Sequence, residues 1–180
     1  MKNQRDFVNN PKKLPKYITE TKVKEVLELA RNKNKKDYLM LLTLWRTGIR
    51  NDELTKLKKQ DIKSDELMVR QGKGHKDRLV PLEPHLYDLL AYYMADLNLE
   101  DRLFPFSTTW IRQIVHRYQG DQVITPHTFR HSFAVHCLKG GMNIRSLQKI
   151  MGHKNLSTTA IYLDLIGKDI KEDFKKVVWD

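Results

Sequence analysis

The sequence predicts an α+β fold that is mostly α-helical, with one small antiparallel β-sheet formed by a hairpin. Apolar residues recur at helical spacing from Ile18 onward. Thr, Asn, Pro and Gly punctuate those stripes where helices start and stop. The one run with strand character, Glu66 to Leu82, consists of two short apolar segments around Gly72-Lys73-Gly74-His75-Lys76-Asp77.

Residues 1–16 are polar, basic and broken by Pro11 and Pro15, so they read as a linker or arm ahead of a unit at 17–180. Thr19 is placed to cap a helix whose stripe is Val23, Val26, Leu27 and Ala30. Asp37 to Thr47 is strongly apolar and predicts a central helix, with Gly48 at its C′ position. A short helix is expected over Asn51 to Leu57, capped by Asn51. Strands at Leu67–Val69 and Arg78–Val80 form the hairpin. Pro84 then opens a helix expected to run through Leu97, with Leu86, Leu89, Leu90 and Tyr93 inward. Further helices are expected from about Thr108 to Tyr118, from Pro126 to the Gly140-Gly141 pair, and from Asn143 to Met151. Ser157 or Thr158 starts the segment bearing Tyr162. Ile170, Phe174, Val177 and Val178 stripe a last amphipathic helix at about 167–179.

At 180 residues the chain is long enough for a proper core, and its net charge of +11 is spread along its whole length. Such an excess favours a polyanionic partner, because each phosphate neutralised by Lys or Arg releases counterions. With Cys137 as the single cysteine an internal disulfide is impossible, which suits a reducing, cytoplasmic setting. No apolar run reaches membrane-spanning length, and the first residues do not begin a secretory signal, so no membrane partner is expected.

His127-Thr128-Phe129-Arg130, Gly152-His153 and Tyr162 follow one another in the last third, with Arg50 and Lys73 upstream. Two Arg, one Lys, two His and a Tyr suit attack by a phenol oxygen on a phosphodiester. Arg is the best clamp for the non-bridging oxygens, because its guanidinium is planar, always charged and bidentate. Lys and His move protons. A phosphotyrosine conserves the energy of the ester, so a strand can be resealed without ATP or metal.

Those residues, in that order, resemble the catalytic domain of the tyrosine recombinase (phage integrase) family from about Leu14 to Tyr162. Thr47-Gly48-Ile49-Arg50-Asn51-Asp52-Glu53-Leu54 is similar to the stretch holding the family's first catalytic Arg. The run from Gly72 to Leu82 resembles its β-hairpin, and Pro126 to His131 matches the helix with a His and the second Arg. The resemblance implies that Arg50 and Arg130 hold the scissile phosphate, and that Lys73 protonates the leaving 5′-oxygen. It implies that His127 accepts the Tyr proton, that His153 hydrogen-bonds a phosphate oxygen, and that Tyr162 is the nucleophile. Glu53 is expected to orient a neighbouring His or Arg. The implied function is a site-specific DNA recombinase or integrase acting on double-stranded DNA. No cofactor or metal is expected, and a free monomer should form a homo-tetramer on DNA.

Plainer readings stand beside these. Lys76 and Arg78 are alternative proton donors, and Lys73 is preferred by motif position alone. His127 and His131, spaced i, i+4, could ligate a metal, but no Glu follows His127 and Cys137 offers no matching pair, so His131 is given only a structural role. Tyr162 could be core, and Trp45, Trp110 and Trp179 read as packing residues. Members of the family carry a helical N-terminal domain that grips the opposite face of DNA. That core-binding domain is expected to be absent from this chain, where only 1–15 precede the match. Rival functions are type IB topoisomerase-like nicking and relaxation of DNA, and non-catalytic DNA binding.

Overall fold

The computed structural model describes residues 14–70 and 77–167. Lys73, Lys76 and the helix expected at about 167–179 therefore lie outside the described residues, apart from Gly167. The described residues form a mostly helical unit with a two-stranded antiparallel sheet.

Helix α1 (Glu20–Lys33) starts where the Thr19 side chain accepts from the Lys22 backbone N–H, and it buries Val23, Val26, Leu27 and Ala30. Helix α2 (Lys35–Thr47) begins two residues earlier than its apolar run, because Asn34 Oδ1 caps it by accepting from Lys36 and Asp37. It is buried on nearly every side, packing against α1 and against α6 (Pro126–Lys139). Helix α3 (Asn51–Leu54) is shorter than expected, and its N-cap is Arg50, not Asn51. Asn51 instead donates from Nδ2 to the Thr108 carbonyl, fastening α3 to α5 (Thr108–Tyr118).

Strands β1 (Glu66–Val69) and β2 (Arg78–Pro81) pair with Leu67 opposite Val80 and Val69 opposite Arg78. Helix α4 (Pro84–Tyr93) stops four residues before Leu97; it buries Leu86 and Leu90, while Leu89 and Tyr93 are half-buried. Trp45 packs in the core as expected, but Trp110 is 44% exposed. Helix α7 (Ile144–Met151) is capped by Asn143 Oδ1 at the Arg145 N–H. Helix α8 (Leu156–Ala160) starts ahead of Ser157, and Tyr162 lies between it and α9 (Leu163–Ile166), outside either helix. No helix among the described residues is long and apolar enough to cross a membrane.

Two glycines set the site's frame. Gly48 ends α2 with φ +60°, and a Cβ there would meet the Phe133 ring at 2.2–2.9 Å. Gly152 ends α7 with φ +64°, and a Cβ there would lie 3.1 Å from the Arg78 side chain. Gly48→Ala combines left-handed strain with overpacking, a cost of about 2–4 kcal/mol. Gly141→Ala has similar strain (φ +87°) in open space. Thermal unfolding should therefore place Gly48→Ala about 3–10 °C below Gly141→Ala; equal midpoints would show that the Phe133 contact imposes no cost.

Candidate active site

Arg130 is 4% exposed in the second turn of α6, a helix that packs against both α2 and α7. Its Nη1 donates to the Gly48 carbonyl and its Nη2 to the Met151 carbonyl. Both carbonyls are among the unpaired C=O groups that every helix leaves at its C-terminus, where partial negative charge collects. A buried cation is tolerated because it meets two such ends. Burial among other cations brings its pKa down to about 10, so it stays charged at neutral pH.

Arg50 reaches the same place from the opposite side. Its Nη2 donates to the Gly152 carbonyl at 3.3 Å, the next carbonyl after the one that Arg130 holds. Its Nη1 donates to Glu53 Oε1 at 2.9 Å, and Glu53 Oε2 accepts the Arg50 backbone N–H at 2.6 Å. Glu53 thus orients Arg50 from one helical turn away, as a Glu at that position of a capping box does.

His153 stands beside Arg130, with Nε2 3.2 Å from Arg130 Nη2. A guanidinium can only donate, so Nε2 accepts, and the proton sits on Nδ1, which faces Thr159 Oγ1 at 2.9 Å. Burial, then the nearby Arg130 and Arg50, lower the His153 pKa to about 4.

Arg78 is a residue whose place the sequence reading missed. By sequence it is an alternative proton donor, but its guanidinium forks onto Glu53, Nη1 to Oε1 and Nη2 to Oε2, both at 2.8 Å. Its Nε donates to the Ile150 carbonyl at 2.7 Å. A signal was available: strand alternation puts Arg78 on the face of Val80, opposite Val69, and both valines are buried. Burial alone would raise the Glu53 pKa; the Arg78 hydrogen bonds and the Arg50 backbone N–H outweigh it and hold the carboxyl at about 2.

Tyr162 is 3% exposed, and its hydroxyl lies 2.7 Å from His131 Nδ1. The phenol is the stronger acid of the pair, so its O–H donates. Burial raises the phenol's pKa, and burial followed by the charges of His127 and Arg130 lowers that of His131 to about 4. The hydroxyl is thus held protonated against a neutral imidazole. His131, read from sequence as structural, is the His that touches Tyr162. His127 is exposed, its ring centroid 6.4 Å from that of His131. Among the described residues, no group of three or more His, Cys, Asp or Glu side chains is placed to hold a metal.

An open cleft of about 1070 Å³ is lined by Arg50, Glu53, Arg78, Gly152, His153 and Thr158, with Lys56, Arg70, Lys149 and Lys154 around them. Six of the lining residues are basic, against the acidic Asp52, Glu53 and Asp77, so the cleft is suited to an anion. Tyr162 is not among its lining residues.

The sequence pattern of the phage integrase family matches residues 16–167. The chain belongs to that family. It is 39% identical to the tyrosine recombinase XerA of Pyrococcus horikoshii and 37% identical to that of Thermococcus kodakarensis, in each case over 92% of this chain. The match spans 62% and 64% of those proteins, so the chain spans under two thirds of the length of these curated relatives. Its fold is similar to the crystal structure of XerA recombinase, with a TM-score of 0.74 and 29% identity over 94% of this chain and 68% of that one. The catalytic domain of bacteriophage HP1 integrase shares the fold at a TM-score of 0.72 and 24% identity, covering 89% of this chain and 94% of that one. For this integrase-family chain, the expected fold class is borne out.

The two half-buried imidazoles, His131 and His153, carry a pH dependence. Both have folded pKa values of about 4, below the ordinary 6.5, so the unfolded chain binds their protons more readily. Their contribution to stability is complete above about pH 6.5 and is lost as pH falls toward 4. The Glu53 contribution persists to about pH 4.5 and is lost toward pH 2. Thermal unfolding midpoints should therefore already fall between pH 7 and 4.5, with a shallower slope in His153→Asn. A midpoint unchanged across that range would contradict the lowered pKa values of both rings.

Proposed function

We propose that this chain cleaves and rejoins double-stranded DNA through a 3′-phosphotyrosine on Tyr162, as the catalytic part of a site-specific recombinase or integrase. The observation that carries the reading is the convergence of Arg50 and Arg130 on the consecutive carbonyls of Gly152 and Met151, with His153 against Arg130, behind a basic cleft that Arg50, Gly152 and His153 line. Nothing in ordinary core packing calls for two guanidinium groups at one point. A phosphodiester passing through a pentavalent transition state does, since charge grows on its non-bridging oxygens.

Arg130 makes three contacts with described residues, and a guanidinium has five N–H donors, so two are not engaged by the described residues, and we assign them to phosphate oxygens. Arg50, with a side chain 34% exposed, offers the second arm of the clamp. In the reaction the Tyr162 oxygen bonds to phosphorus and the bond to the 5′-oxygen breaks. The phenolic proton leaves to a base, and the 5′-oxygen takes one from an acid. By motif position the acid is Lys73. His131 holds the phenol where it does not line the cleft, so attack requires the turn between α8 and α9 to swing outward. The exposed His127, one turn ahead of Arg130, is assigned to take the proton once the phenol has moved. His153 hydrogen-bonds a phosphate oxygen after rotating away from Arg130 or gaining a proton.

The partner is double-stranded DNA, gripped by its backbone, and we take the DNA-bound state to be a homo-tetramer. Incubation with a nicked suicide duplex should trap a denaturant-stable covalent adduct that Tyr162→Phe lacks. Arg130→Lys, which cannot fork onto phosphate, should slow adduct formation by about 10²-fold or more. The adduct should form equally in a chelator. An adduct surviving in Tyr162→Phe, or cleavage abolished by the chelator and restored by zinc, would sink the reading.

A further inference from the structure

Arg78 has no part in the chemistry above, yet it is the more buried of the two guanidinium groups on Glu53, its side chain 9% exposed against 34% for Arg50. We propose that Arg78 is a positioning residue that occupies the Glu53 carboxylate and so leaves the positive charge of Arg50 less compensated and available to phosphate. This inference rests on the reading that Arg50 clamps the scissile phosphate.

The carboxylate is shared unequally. Arg78 takes it in a fork of two parallel bonds at 2.8 Å, one to each oxygen. Arg50 has one side-chain bond to Oε1 at 2.9 Å, and its backbone N–H takes Oε2 at 2.6 Å. Those four bonds fill the roughly four acceptor positions of a carboxylate. Without Arg78, Glu53 would have one cation to pair with, and the fork would pass to Arg50. A Glu–Arg pair is neutral; the trio carries one net positive charge, and Arg50 is its more exposed cation, with a side chain 34% exposed against 9% for Arg78.

Arg78 is built to stay in place. Its Nε is tied to the Ile150 carbonyl, and its stem lies along Gly152, where a Cβ would be only 3.1 Å from it. It is therefore pinned from β2, α3 and α7 at once, whereas Arg50 meets α7 through a single 3.3 Å bond to the Gly152 carbonyl. A fixed counter-cation beside a movable one is what keeps an orienting carboxylate from becoming a competitor for the phosphate. Lys, a point charge without a fork, cannot take that place.

The test is a double-mutant cycle with two readouts. In the first, inorganic phosphate is titrated into the folded chain and the backbone amide signals of Gly152 and His153 are followed. Arg78→Met should weaken phosphate binding about tenfold, because Glu53 then quenches Arg50, and Arg78→Lys should fall short of wild type in the same direction. Glu53→Gln should bind phosphate at least as well as wild type. The double variant should return to within about threefold of it. A pair that only braces the fold predicts otherwise, since either single change would then weaken phosphate binding in step with lower thermal stability, measured on the same samples. Wild-type affinity in Arg78→Met, or loss in both single variants, overturns the proposal.

In the second readout, single-turnover cleavage at saturating nicked DNA should drop at least about tenfold in Arg78→Met and recover in the double variant. If wild type itself forms no adduct, the recombinase reading fails while the phosphate titration still decides the role of Arg78. Should Arg78→Met fail to fold, Arg78→Gln, which keeps a donor for Ile150, takes its place in both assays.

Discussion

The site depends on one buried cation held by the ends of two helices. Arg130 brings its charge into the interior, where isolation would be very costly, and the Gly48 and Met151 carbonyls compensate it. Neither carbonyl has a partner within its own helix, so the guanidinium satisfies groups that would otherwise need water. The exchange works in both directions. Helices α2 and α7 end where they do because Gly48 and Gly152 turn left-handed, and those turns aim the last carbonyls at α6. Ala at either glycine would strain the turn and push on Phe133 or Arg78. The frame of the cleft is thus a backbone feature that a side-chain charge locks.

Around that fixed charge the structure keeps the proposed clamp apart from the proposed nucleophile. Arg50, Arg78 and His153 face or line the cleft, while Tyr162 is turned inward onto His131. Both members of the inward pair are shifted against reaction, the phenol toward staying protonated and the imidazole toward staying a weak base. Tyr162 sits between two helices of five and four residues, and segments that short add little cohesion of their own. On the proposed reading, moving the phenol breaks its hydrogen bond to His131, takes a buried ring out of the core and shifts a short turn.

Much of this was legible in the sequence, and what was missed was missed for identifiable reasons. The stripe Val23, Val26, Leu27, Ala30 and the caps at Thr19 and Asn143 are local signals, and α1 and α7 follow them. Asn51 misled because its side chain has a better partner across the fold, the Thr108 carbonyl, than at its own helix end. The α4 boundary misled because Leu97 is apolar at helical spacing, while the chain turns at Met94. Arg50, Arg130 and His153 were found through ordered motifs, since nothing in periodicity brings distant residues together. His131 was passed over because, one step around α6 from Arg130, it faces whatever packs there, and only the path of the chain after α8 puts Tyr162 on it.

The +11 charge gains meaning from how little of it does the specific work. Lys56, Arg70, Lys149 and Lys154 at the cleft can draw in a polyanion, but a Lys there gives attraction without geometry. Geometry comes from groups held in place by their partners: Arg130 by carbonyls, Glu53 by the Arg78 fork, and Arg50 by one side-chain bond to that shared carboxylate. Each of these bonds costs the site some free charge and returns a fixed direction. A transition state rewards that exchange, because preoriented dipoles and cations need not reorganise as charge moves onto the phosphate. On the proposed reading, net charge sets how readily a phosphate backbone arrives, while the partly neutralised centre sets which phosphate can react. That is why a carboxylate belongs in the middle of a cleft built for an anion.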